Sequence, residues 1–336
     1  MAVRANTSET FDNSVIREDL QEAYNMISPE ECPFQQMAGR KSASNVLFEW
    51  PVVELADPDA TNRVAEGEGD VANDAATLAI RLSNYTQISD KVAEVSHTHQ
   101  AVDAAAKNVQ RMATQVAMKM REMKRDKETM LLDNIPASAG SSGTARATAG
   151  FPAFLKTNTV RGSGGADPTL SGTTEGFPDA GATAGTAVDL TEANLNNVIE
   201  DCWTAGAEPS VIMCNSGNKR LISATFTGNA TRYKDSIDKK IVAAIDIYDS
   251  DFGELTVVPN RWMRTNNPGG DDDSYNVFVM DPEYVKIAYL DEVQQKPLAE
   301  TGHSMRTLVW CEYGLQVDNE KAHGIIADTL NNATPA

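Results

Sequence analysis

Residues 99–132 read HQAVDAAAKNVQRMATQVAMKMREMKRDKETMLL, and the spacing of their apolar members decides the fold. Val102, Ala106, Val109, Ala113, Val116, Met120 and Met123 recur at alternating intervals of four and three. That spacing lays one continuous apolar stripe along an α-helix. Asp103 suits the first turn, and no Gly or Pro interrupts before Pro136. A helix over the whole stretch would be about 50 Å long at 1.5 Å per residue. The sequence therefore predicts a structural spine rather than one helix of a small bundle.

Upstream of the helix the period changes to two. Residues 46–50 (VLFEW) predict a strand that Val52, Val53 and Leu55 extend, and Pro51 places it at an edge. Leu78, Ile80 and Leu82 alternate with polar or small residues, the mark of a half-buried strand. Residues 56–74 between them are acidic and rich in turn formers. The segment reads as a two-stranded projection with an acidic tip. A lone ribbon buries too little apolar surface to be stable, so a partner surface is expected. The first 35 residues are polar, with one short helical pattern at Ser14, Val15, Ile16, Leu20, Ala23 and Tyr24 that Pro29 and Pro33 end. They read as an arm.

Downstream, residues 137–190 are rich in Gly, Ala, Ser and Thr and predict an irregular excursion docked through residues 151–155 (FPAFL). Compact sequence follows. Thr191 caps a helix whose inner positions are Leu195, Val198, Ile199 and Cys202, ending near Gly206. Residues 210–214 predict a buried strand and 219–226 a helix. Further strands are expected at 241–248, 254–258, 277–280 and 285–289, with a turn at Asp281 and Pro282 and a last strand at 305–313. Strands with interspersed helices, and no regular βαβ series, point to an α+β fold.

Composition narrows the chemistry. A net charge of −19 repels phosphate backbones and argues against nucleic-acid binding as the main task. No run of about 18 apolar residues exists, so no membrane span is predicted. No basic start leads into an apolar stretch, so no signal peptide is visible and a cytoplasmic setting is expected. Cys32, Cys202, Cys214 and Cys311 lie far apart and are expected as buried free thiols. His97 and His99 lack a third ligand in sequence. Asp271, Asp272 and Asp273 have calcium-binding oxygens but read as a solvated loop tip. Asp57, Asp59, Thr61 and Glu68 match several positions of a calcium loop, yet Asn62 stands where that loop needs Gly. No nucleophile elbow or phosphate loop occurs. No catalytic residues, cofactor or metal are predicted.

The order of arm, two-stranded projection, spine helix, then α+β domain with returning strands resembles the HK97-like major capsid proteins of tailed phages. Several phrases resemble its SU10-type subgroup: residues 16–20 (IREDL), 27–29 (ISP) with 32–34 (CPF), 48–50 (FEW), Glu66 with Gly67, 84–88 (NYTQI) and 124–128 (KRDKE). The second half adds 251–253 (DFG), 258–261 (VPNR), 281–283 (DPE), 298–302 (LAETG) and 319–324 (NEKAHG). Residues 137–190 are the least covered. The resemblance implies an N-terminal arm at 1–40, an E-loop at 41–96, and a P-domain from 97–136 and 283–336. It further implies an insertion at 137–190 and an A-domain at 191–282. It implies hexamers and pentamers of one chain forming an icosahedral head in the virion. The shell would enclose double-stranded DNA without sequence-specific binding, with a portal protein at one vertex and, optionally, a decoration protein. Because the chain goes straight into the arm, a separate scaffolding protein is expected. No lysine lies between Asn45 and Asp90, so cross-linking through an E-loop lysine is not expected. Two other readings stand here: an encapsulin-like compartment, and a calcium-dependent adhesin or tail component using Asp271, Asp272 and Asp273.

Charge is partitioned along the chain. Residues 46–90 carry nine acids and two arginines, net −7, whereas 99–132 carry seven bases and four acids, net +3. The expected contact between copies sets Glu66, Glu68 and Asp70 of one tip over Lys119, Arg121, Lys124, Arg125 and Lys127 of the next helix.

Overall fold

The computed structural model describes residues 28–56, 58–63, 66–67, 76, 78–101, 111–171, 176–225, 234–235, 240–241, 246–263 and 274–330. The expected arm helix at 14–24, the charged tip residues Glu68 and Asp70, and the triple aspartate at 271–273 lie outside them. The elements begin with helix α1 (Pro33–Met37), strands β1 (Gly39–Ser42), β2 (Leu47–Val52), β3 (Ile80–Tyr85) and β4 (Gln87–Ser96), and helices α2 (His97–Ala101) and α3 (Met112–Leu132). Short strands β5 (Thr159–Val160), β6 (Thr169–Leu170) and β7 (Pro178–Ala180) follow, then α4 (Glu192–Thr204), β8 (Val211–Cys214) and α5 (Ser216–Thr225). The chain continues with β9 (Lys234–Asp235), β10 (Lys240–Ile241), β11 (Ile247–Ser250), β12 (Gly253–Pro259), β13 (Ser274–Met280), β14 (Val285–Pro297), β15 (Ser304–Val317) and β16 (Gly324–Leu330).

A six-stranded sheet has the order β11-β12-β8-β13-β16-β5. Its central strands are buried on both faces, so their apolar residues run without alternation. Ile212 and Cys214 of β8, with Val277 and Val279 of β13, face α4 in a core with Leu195, Val198, Ile199 and Cys202. Met213 and Phe278 point the other way, where Phe278 meets Phe151 at 5.2 Å. Thr191 caps α4 as the sequence predicts, its side chain accepting the Asn194 N–H. Gly324 opens β16 where α4 packs closest: a Cβ there would lie 2.2 Å from Val198 Cγ1.

Three expectations change. Residues 305–313 are not in the last strand, because β16 follows and lies between β13 and β5. A strand buried along nearly its whole length shows no period-two signal. The helical stripe does not run as one helix from 99 to 132 either. Arg111 is not helical, its carbonyl accepts the Gln115 N–H, and α3 begins at Met112; residues 102–110 are outside the described set. Finally, the excursion 137–190 is more integrated than its composition suggests. Phe151, Phe154 and Leu155 are buried as expected, and β5 also pairs with β16 as the sheet's edge.

A four-stranded sheet has the order β1-β14-β15-β4, and β2 and β3 form a separate antiparallel ribbon. The chain divides into two compact units. The smaller holds residues Met1–Pro29, Lys91–Met120 and Gln295–Val309, and the larger holds Glu30–Asp90, Arg121–Gln294 and Trp310–Ala336. Within the smaller unit, Glu94 accepts from Ser304 Oγ at 2.7 Å and pairs with Arg306 at 3.7 Å.

Candidate assembly interface

The ribbon is anchored at its root and uncovered toward its tip. Asn84 is fully buried at the root and uses every hydrogen-bonding position it has. Its Nδ2 donates to Thr148 Oγ1 (3.0 Å) and the Leu315 carbonyl (2.7 Å), and its Oδ1 accepts from the N–H groups of Ala149 (3.0 Å) and Tyr85 (2.8 Å). Thr86 donates to Glu312 at 2.6 Å, and Arg146 pairs with the same carboxylate oxygen at 2.7 Å. Phe48 stacks on Trp50 at 5.8 Å, and Trp50 meets Phe154 at 6.1 Å. Gly314 of β15 makes room for this root, since a Cβ there would lie 2.5 Å from the Phe48 ring. The root is therefore held by its own chain. Beyond it, Val53, Leu55 and Leu78 are 57%, 87% and 77% exposed, and Glu66 is exposed.

The C-terminal part of α3 sorts its charges by face. Arg121 and Lys124 are exposed, Lys119 and Arg125 half-buried, and Lys127 buried. Arg121 pairs with Glu30 at 2.8 Å, and the Arg125 guanidinium lies over the Trp262 ring at 5.5 Å. Lys127, also in the expected contact set, turns inward. Its ammonium donates to the Tyr289 hydroxyl at 2.7 Å and sits over the rings of Tyr289 (4.8 Å) and Tyr313 (5.6 Å). The sequence held this signal: Lys127 follows Met123 by four, so it continues the stripe of Val116, Met120 and Met123 into the interior.

Glu128, also missed from sequence, is the other buried charge on this turn. It accepts from the N–H groups of Phe34 (2.8 Å) and Gln35 (3.0 Å), from Gln35 Nε2 (2.9 Å) and from Asn260 Nδ2 (2.8 Å). Trp262 Nε1 donates to the Glu31 carbonyl at 2.6 Å. Residues 30–35 are thus clamped between α3 and the loop after β12.

The remaining reactive groups are quiet. All four cysteines are free and buried. Burial pushes Cys32 up to about 11, Cys202 and Cys214 up to about 12, and Cys311 upward, so all are thiols near neutral pH. The structure brings His303 to 5.0 Å from His97, with Glu300 at 3.7 Å. Among the described residues, however, no group of three or more metal-ligating side chains converges. No described helix is long and apolar enough to cross a membrane.

The comparisons with known proteins agree with this architecture. In fold the chain is similar to a chain of Mycobacterium phage Bobi (TM-score 0.59, 11% identity, 95% of this chain and 98% of that one). It is also similar to the capsid of a native GTA particle (0.59, 13%, 97% and 100%) and to the SrpI encapsulin of Synechococcus elongatus PCC 7942 (0.58, 10%, 100% and 99%). In sequence it is 26% identical over 333 residues to the major capsid protein of Escherichia phage Phieco32, covering 90% of this chain and 91% of that protein. The family model described as SU10 major capsid protein matches residues 4–330. The chain therefore belongs to the SU10 major capsid protein family and is the major capsid protein of a phage, built on the HK97-like fold.

Proposed function

We propose that the chain assembles as hexamers and pentamers into a closed icosahedral head that encloses the phage genome. The observation that carries this reading is the family match across residues 4–330. The role is structural rather than catalytic, in keeping with that family and with cysteines that burial holds as thiols. Residues 1–40 serve as an arm, 41–96 as the projecting E-loop, and 97–136 with most of 283–336 as the P-domain. Residues 137–190 are an insertion, and 191–282 form the A-domain. We place 324–330 with the A-domain strands, because β16 lies between β13 and β5.

Copies meet where the acidic E-loop tip, with Glu66, Glu68 and Asp70, lies over Lys119, Arg121, Lys124 and Arg125 of a neighbour. Support comes from the uncovered apolar residues toward the tip and from the exposure of Arg121 and Lys124. Each exposed pair is worth only about 0–1 kcal/mol, but repetition around a shell fixes register and steers assembly. Assembly takes place in the host cytoplasm with a separate scaffolding protein, a portal protein at one vertex and, optionally, a decoration protein. Packaged DNA is held without sequence-specific contacts.

Negative-stain electron microscopy, with the mass distribution in solution, tests the reading. Closed shells, or the hexamers and pentamers that build them, are expected. A strictly monomeric protein, even beside its scaffold, would overturn it, and shells filled with a cargo enzyme in place of DNA would favour a compartment.

A further inference from the structure

The chain passes between the six-stranded and four-stranded sheets at two neighbouring places. Residues 281–284 lead from β13 to β14, and residues 318–323 lead from β15 to β16. Two hydrogen bonds tie these crossings together. The Asp318 N–H donates to the Tyr284 carbonyl at 2.8 Å, and the Asp281 N–H donates to Nδ1 of His323 at 3.2 Å. Asn158 steadies the second crossing, its Nδ2 donating to the carbonyls of Lys321 (2.8 Å) and His323 (3.0 Å). The Phe151 ring stands edge-on to the imidazole at 5.2 Å.

His323 is 1% exposed. An N–H aimed at Nδ1 requires a lone pair on that nitrogen, so the imidazole is neutral. A proton on Nδ1 would set donor against donor and bury a cation beside Phe151. Burial accordingly lowers this histidine from 6.5 to about 3, against a smaller opposing pull from the Tyr284 backbone.

The charged groups nearby are engaged elsewhere. Asp281 caps the Glu283 N–H, and Lys286 pairs with Asp318. Glu320 accepts from the N–H groups of Lys156 and Thr157, and Lys321 pairs with Glu54 at 2.8 Å. Cys202, against Asn158, is a thiol.

We propose that His323 pins a two-strand joint between the sheets, and that its protonation opens the joint while the sheets themselves stay intact. The proposal does not depend on the shell reading. It gives each subunit an acid-operated joint.

Hydrogen exchange of the full chain between pH 7.5 and 4, corrected for intrinsic rates and read by mass spectrometry, tests it. The sign follows from linkage: a base whose proton affinity is lower in the closed form keeps that form stable above its ordinary pKa and loses it as pH falls. Peptides covering 281–284 and 318–323 are expected to lose protection about tenfold per pH unit below about pH 6, while β8 peptides keep theirs. His323→Asn keeps an acceptor near the Nδ1 position but cannot titrate, so its joint is expected to open equally at all these pH values. The proposal is overturned if the crossing peptides keep their protection, if β8 loses protection with them, or if His323→Asn retains the pH-dependent rise. Should His323→Asn not fold, the comparison of crossing and β8 peptides in the wild-type chain decides alone.

Discussion

Glu128 is held by four N–H donors from two separate segments, and that makes it the residue whose removal is most informative. Alanine there leaves the amides of Phe34 and Gln35 and the side chains of Gln35 and Asn260 without their acceptor. A buried unsatisfied polar group costs about 1–3 kcal/mol, so Glu128→Ala is expected to lose about 3 kcal/mol or more in denaturant unfolding. Glu128→Gln keeps one acceptor oxygen but turns an N–H₂ toward N–H donors, and it should fall between Ala and the wild type. Equal losses for the two variants would mean that packing, not hydrogen bonding, holds residues 30–35 to α3. Asp328 shows another use of a buried carboxylate. In a left-handed backbone conformation on β16 (φ 58°), it accepts the Gly185 N–H at 2.8 Å. It thereby ties the Gly-rich excursion to the sheet.

At the scale of elements, the ribbon depends on a fit between two residues far apart in sequence. Gly314 leaves the space that Phe48 fills. Gly314→Ala is expected to displace the ring and cost about 1–3 kcal/mol, the usual range for overpacking. Combining it with Phe48→Leu should recover part of that loss, because the two sites share one space. A double-mutant cycle on thermal unfolding measures the coupling. Strictly additive losses would show that the ribbon root is not seated on β15 through this contact. Helix α4 depends on local chemistry instead, and Thr191→Ala is expected to cost about 1 kcal/mol through loss of its N-cap.

For the whole molecule, charge sets the terms on which copies meet. A chain of net charge −19 repels its neighbours unless its few basic surfaces face acidic ones. Reversing Arg121 and Lys124 to Glu should lower shell yield at low salt, with part of it recovered as added salt screens the new repulsion, and with little change in the stability of the single chain. Lys127→Glu should act differently. It places a carboxylate between Tyr289 and Tyr313 and is expected to lower folding stability by several kcal/mol. Unchanged yield after reversal of Arg121 and Lys124 would remove the electrostatic contact from the assembly scheme.

Much of this protein was legible in the sequence because the physics there is local. Period two marked the ribbon, Thr191 with the 195–202 spacing marked α4, and the apolar stripe marked α3. These depend on residues a few positions apart. Only the tertiary structure decided the rest. It put Glu128 inside and made β16 a central strand. It also set His323 between two chain crossings. Those outcomes depend on partners scores of residues away, such as Phe34 and Asn260 for Glu128 or Asp281 for His323. The burial of Glu128 and His323 rests on distant groups that satisfy them, and spacing along the chain carries no record of those groups.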